Sequence, residues 1–156
     1  MTRSLAVDVV PARPVHVGPI ASRMRDADRQ EAAAFGQRPR DALRNGIIAG
    51  PAFTALVRGV PEAMFGWVVT SALDSEGRPW MLGTDAIYQH GRALLALGPE
   101  WLRLMFDSIA HASNVVSADN ARAIRLLERW GFVVEQGETM IGGVPFRTFW
   151  KERGNV

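Results

Sequence analysis

The spacing of apolar residues changes period several times along the chain, and each change marks an element. Residues 7–10 are rich in β-branched side chains and stop at Pro11 and Pro14, which predicts a short first strand. Across residues 15–36, Val17, Ile20, Ala21 and Met24 recur at helical spacing. The polar stretch from Asp26 to Glu31 then opens a second turn-rich helix, with Asp26 or Asp28 placed to cap it. Gly36 and Pro39 close that pair, and residues 40–48 form a further short helix ended by Gly50-Pro51.

The middle of the chain has strand character at residues 53–57, 64–70 and 79–84. The breaks at Gly59-Val60-Pro61 and Asp74-Ser75-Glu76-Gly77 predict hairpin turns between antiparallel strands. Residues 85–111 return to a helical period, with a break expected at Gly98-Pro99, where Pro99 suits the first position of a new helix. Val115-Val116 reads as a buried strand. The helix that follows, with Asp119 placed to cap it, carries Ala123, Ile124, Leu127 and Trp130 as a core stripe and stops at Gly131. Residues 132–135 and 144–150, joined through Gly142-Gly143, predict a final strand pair. The order is strand, helices, three antiparallel strands, long helix, strand, helix and two strands, which is a mixed α/β (α+β) layer with helices covering a twisted sheet.

Composition narrows the function. With 156 residues, 47% hydrophobic and 22% charged, the chain has the length of one domain, taken as residues 1–156, and enough apolar material for a core. It has no Cys, so disulfides, thiolate metal ligands and a Cys nucleophile are excluded. No apolar run approaches the roughly 20 residues of a membrane span. Asp8, Pro11 and Arg13 interrupt the N-terminal stretch before a leader-like run develops, which predicts a cytoplasmic protein. The 18 basic and 16 acidic residues give a net charge of only +2, and no run of four bases occurs, so no nucleic-acid footprint is expected. His16, His90 and His111 are scattered without ligand spacing, and no metal site is expected.

The segment Asn114-Val115-Val116-Ser117-Ala118-Asp119-Asn120 and the helix after it resemble the C-terminal half of the GNAT N-acyltransferase superfamily. In that family a strand leads to Asn-x-x-Ala-Ile-x-x-Tyr-x-x-x-Gly-Phe, and Asn120, Ala123, Ile124, Gly131 and Phe132 fall on the motif. A narrower resemblance is to a phage branch related to the internal virion protein A of short-tailed phages. It is carried by Ala27-Asp28-Arg29-Gln30-Glu31, Ala63-Met64-Phe65-Gly66 and Arg78-Pro79-Trp80-Met81-Leu82-Gly83-Thr84. The resemblance implies a GNAT-like, mostly antiparallel sheet of about six or seven strands with helices on both faces. It also implies acetyl-CoA as co-substrate for N-acetylation of an acceptor it does not specify, and a place in the bacterial cytoplasm or the virion. Met81, Leu82, Gly83, Thr84, Arg92, Asn120 and Ala123 would hold the cofactor, with a backbone N–H near Leu82 or Gly83 for the oxyanion.

Two departures from the family pattern bear on activity. The Gln/Arg-x-x-Gly-x-Gly/Ala phosphate loop is missing. Residues 83–92 stand in its place, with Asp85 repelling a phosphate and Arg92 and a helix N-terminus attracting one. The family's Tyr is Leu127, so Tyr88, the sole tyrosine, is the candidate phenol, with Glu62, Asp74, Glu76 and His90 as alternative proton carriers. The competing expectation is a catalytically inactive GNAT-fold protein that binds a host or virion protein. Phe146, Phe149 and Trp150 are expected to pack on both faces of a strand, and an exposed member would mark a homo-oligomer contact.

Overall fold

A computed structural model describes residues 7–154; residues 1–6, part of the stretch read above for a leader, and residues 155–156 lie outside the described residues. The elements are β1 (Val7–Pro11), a 3-10 turn (Pro14–His16), α1 (Val17–Ser22), α2 (Asp26–Ala34), α3 (Pro39–Ala49), β2 (Ala52–Val57), β3 (Val60–Ser71) and β4 (Glu76–Gly83). They continue with α4 (Asp85–Gln89), α5 (Gly91–Ser108), β5 (His111–Ser117), α6 (Ala121–Arg129), β6 (Val133–Ile141) and β7 (Val144–Glu152). The strands form one seven-stranded sheet in the order β1-β2-β3-β4-β5-β7-β6, antiparallel everywhere except between β4 and β5.

Strand alternation sorts the core into two layers. Phe65, Trp67 and Met81 point to one face, where they meet Leu94, Trp101 and Met105 of α5 and Ile124 of α6. Met64, Trp80 and Leu82 point to the other, against Val17, Ile20 and Ala21 of α1 and Leu43 of α3. Phe146 and Phe149 are buried on opposite faces of β7, as expected: Phe149 packs edge-on to Phe132 and Phe146 edge-on to Phe35 at the C-cap of α2. Trp150 is half-buried, stacked on His111, with its N–H donated to Glu135. Among the described residues no helix is long and apolar enough to cross a membrane.

Several boundaries differ from the sequence expectation. Asp26 and Asp28 do not cap α2, whose N-cap is Arg25; Asp28 turns inward instead. Asn120 rather than Asp119 caps α6, its Oδ1 accepting the Ala123 N–H. β5 begins at His111, which the helical period had absorbed.

The break expected at Gly98-Pro99 is absent, and α5 runs through it. Proline removes the N–H that would bond the carbonyl four residues earlier. That carbonyl belongs to Leu95, and it accepts the indole N–H of Trp130 at 3.0 Å instead. Gly98 makes the approach possible, because a Cβ there would lie 2.1 Å from the Trp130 Nε1. Trp130, at the C-cap of α6, thus replaces a main-chain bond of α5 and ties the two helices together.

Trp130→Phe is therefore expected to lower stability by about 1–3 kcal/mol, through an orphaned Leu95 carbonyl and lost packing. Pro99→Ala restores the missing N–H and should recover part of that loss in the double variant. Urea denaturation of the four-member cycle measures the coupling, and strict additivity would refute this account.

Candidate active site

β4 and β5 pair in parallel only at Glu76 with His111 and Gly77 with Ala112, and then diverge. Divergence strips main-chain groups of partners on both strands, and each must be satisfied or face a cavity. Thr84 N–H donates to the Glu62 carbonyl on β3, so by alternation the even-numbered residues of β4 bond β3 and the odd-numbered ones face the gap.

The odd positions are answered one at a time. At the vertex, Asn114 donates its Nδ2 to the Pro79 carbonyl at 2.7 Å while its Oδ1 accepts the Val115 N–H at 2.7 Å, so one side-chain amide spans the opening. At the wide end, the Gly83 N–H donates to Asp28 Oδ2 at 2.8 Å and the Ser117 N–H donates to Glu31 Oε2 at 3.0 Å. The Gly83 carbonyl accepts the Arg25 N–H. Between these ends lies Met81, whose N–H and C=O face the gap with no protein partner among the described residues.

Two carboxylates one helical turn apart on α2 therefore plug the wide end of the gap, and a buried arginine joins them. Arg25 Nη1 donates to Asp28 at 3.1 Å and Nη2 to the Asn120 Oδ1 at 3.2 Å, while the Asn120 Nδ2 donates to Glu31 at 3.0 Å. The Arg25 guanidinium lies 4.0 Å from the centre of the Tyr88 ring, and Arg122 stands 5.1 Å from it. The Tyr88 hydroxyl makes no hydrogen bond to the described residues, yet is not sealed from solvent.

Burial controls the protonation of this cluster. It pushes Asp28 up to about 7 against the opposing pull of Arg25 and the Gly83 N–H. It raises Glu31 as well, against the hydrogen bonds from Asn120 and Ser117. Tyr88 is held above its ordinary range, first by burial and then by the Asp28 charge, so its phenol stays protonated.

A cavity of about 760 Å³ passes through the sheet at the gap. Its walls are Ala32 of α2, Phe35 at the C-cap of α2, and Ala42 and Ala49 of α3 on one side and Trp101, Ala123 and Leu127 of α5 and α6 on the other, with Met81, Val115 and Tyr88 between. Of the residues expected from sequence to hold the cofactor, Met81, Leu82, Asn120 and Ala123 line this cavity, as do Tyr88 and Leu127. Gly83 borders the cluster with its N–H engaged by Asp28, and the Leu82 N–H faces β3, so neither is free for an oxyanion; Met81 is. Thr84 does not line the cavity: it is buried and donates to Glu62 Oε1 at 2.6 Å. Arg92 is exposed on α5 outside it.

Residues 83–92, which stand in the place of the family's phosphate loop, are the turn into α4, α4 itself and the start of α5, in line with the helical period expected from residue 85; Asp85 sits exposed at the first position of α4. Glu62 is tied to Arg23 at 2.7 Å and to Thr84. His16 is a buried core histidine, its Nδ1 2.9 Å from the Thr54 hydroxyl and accepting the Arg13 N–H. Among the described residues no three His, Asp or Glu side chains gather as a metal site would need. From sequence, Asp28 reads as a helix cap and Glu31 and Asn114 only as members of family-like segments, while Arg25 carries no signal. The closeness of Asp28 and Glu31 on one helix turn was the available sign.

Asp28 binds its proton more tightly in the fold than in the unfolded chain, so its ionisation costs stability as pH rises. Relative to Asp28→Asn, the wild type should lose up to about 4 kcal/mol between about pH 4 and 7 and change little above that. Denaturant titrations of both proteins across this range test the sign, and a wild type gaining relative stability with pH would contradict it.

No protein-family profile matches the sequence, and no curated protein matches it. Solved structures do match in fold. A GNAT superfamily phosphinothricin acetyltransferase from Sinorhizobium meliloti in complex with acetyl-CoA superposes with a TM-score of 0.70 at 15% identity, covering 95% of this chain and 89% of that one. Spermidine N-acetyltransferase from Vibrio cholerae in complex with CoA and spermine gives 0.69 at 15% identity over 94% and 95%. Ard1 from Thermoplasma volcanium gives 0.69 at 16% identity over 95% and 98%. What this chain shares with these GNAT-superfamily structures is the fold, which here is a seven-stranded sheet opened between β4 and β5.

Proposed function

We propose that the protein is an acyl-CoA-dependent N-acetyltransferase working in the β4–β5 gap. The observation that carries this reading is the unpaired main chain of Met81 on the wall of a cavity lined from both faces of the sheet. A strand edge with one free N–H and one free C=O suits an amide-bearing chain such as pantetheine, or a carbonyl oxygen that gains charge during acyl transfer. Acetyl-CoA, when bound, supplies the acyl group as an activated thioester.

The chain's own residues take the remaining tasks. Met81 N–H donates to the oxygen that gains charge. Asp28, raised toward neutrality and on the cavity wall, accepts the proton that the amine loses. Tyr88, kept as a phenol, donates a proton to the leaving sulfur and so replaces the tyrosine that Leu127 cannot supply. The missing phosphate loop is part of this reading: Arg122, which donates to the Tyr88 carbonyl at 3.1 Å beside the gap, is the cation this reading assigns to the diphosphate.

The finer reading extends to context. The segment containing Asp28 and Glu31 is among those that resemble the phage branch, and a virion or host protein as partner follows from that resemblance. The inactive-protein reading has its own support in the Arg25–Asp28–Glu31 plug, which narrows the wide end of the gap.

Titration of acetyl-CoA and CoA into the protein separates the two, because a ligand that binds only the folded state raises its melting temperature. Saturable micromolar binding is expected; none at millimolar cofactor would leave the interaction protein. With an acceptor in hand, Tyr88→Phe should lower kcat by roughly 10²-fold or more with little effect on melting temperature. The wild-type rate should rise with pH to a plateau above about 7, and Asp28→Asn should remove that rise.

A further inference from the structure

The part of the cavity beneath α2 and α3 is built for an apolar body. The helices contribute small side chains there, Ala32, Ala42 and Ala49, which leave room, the sheet contributes Trp80 and Phe146, and Gln37 and Asn45 are the neutral polar members of this wall. Gly46 of α3 seats the Trp80 ring so closely that a Cβ would lie 2.3 Å from it, which fixes the indole as a wall. Phe35 stands at the rim, 53% exposed and edge-on to Phe146 at 5.5 Å. An exposed aromatic at the mouth of an aromatic-walled cavity is a surface that a ligand can cover.

The inner end has the opposite character. Asp28 and Glu31 both line the cavity; Arg25, paired with Asp28 at 3.1 Å, does not. Among the described residues, Arg78 is the one cationic residue in the wall, and Glu31 Oε1 is the carboxylate oxygen of the pair that carries no hydrogen bond. An ammonium group fits a site with two carboxylates, and an apolar remainder fits the walls that lead to it.

We propose that the acceptor is an apolar primary amine, its nitrogen seated at Asp28 and Glu31 and its hydrocarbon or aromatic body held among Phe35, Trp80 and Phe146. This rests on the acyl-transfer reading of the same cavity and names its acceptor class. A polyamine would place a second cation against apolar walls and lose its hydration without a partner. A short amine such as ethylamine would leave those walls uncovered.

The test is calorimetric titration of the full chain, with and without CoA, using 2-phenylethylamine, ethylamine and spermidine. The expected result is saturable binding of 2-phenylethylamine at least tenfold tighter than either of the others. Phe35→Ala removes a half-exposed wall and should weaken that binding by about tenfold, with melting temperature and CoA affinity unchanged. Ala42→Leu, which fills the trough from α3, should weaken it also, and provides a second readout should either variant fold poorly. Equal or tighter binding of spermidine or ethylamine, or no binding of any amine, overturns the proposal. Binding of CoA together with a preference for polar amines would sink the apolar class alone. Binding of 2-phenylethylamine by a protein that takes no CoA would sink acyl transfer and leave an apolar-amine binding site.

Discussion

Parallel neighbours that pair for two residues and then separate create a debt of hydrogen bonds, and most of what is unusual in this molecule answers it. Once β4 and β5 diverge beyond Gly77 and Ala112, main-chain groups on both strands lose the partners that a continuous ladder would provide. Asn114 meets the demand at the vertex, and Asp28 and Glu31 meet it at the mouth. Using carboxylates as acceptors brings negative charge into the interior, which in turn requires Arg25, and Arg25 brings Tyr88 under its guanidinium. Met81 is the position left unanswered, and it borders the cavity.

The cavity persists because its walls are held from outside the gap. On one face Trp130 bonds to the Leu95 carbonyl and packs edge-on to Trp101, so α5 and α6 cannot close over the opening. On the other, Trp80 is keyed to Gly46 of α3. Each socket is a glycine facing an indole, a pairing in which the missing Cβ is what allows helix and ring to approach. Large rings locked against helix backbones support a void where softer side chains would fill it.

One physical cause, removal from water, shifts Asp28, Glu31 and Tyr88 in the same direction toward their neutral forms. The consequence differs by residue. A carboxyl near neutrality can exchange a proton at physiological pH, whereas a phenol held above its ordinary range keeps its proton and acts as a hydrogen-bond donor. Structural compensation and proton chemistry are thus supplied by the same side chains.

The order of strands and helices was legible in the sequence because it depends on local period and on glycine and proline punctuation, both of which act within a few residues. The apolar stripe through Ile124 and Trp130 and the Gly142-Gly143 turn were fixed at that level, as were the positions of Met81, Asn120 and Ala123 within a family-like pattern. The failures share a cause. Continuity of α5 through Pro99 depends on Trp130, which is distant in sequence. The inward turn of Asp28 depends on a main-chain N–H of β4, and the role of Asn114 on a carbonyl 35 residues away. Which polar side chain becomes a cap, a plug or a bridge is decided by where unpaired main-chain groups appear, and that is known only once the sheet is assembled.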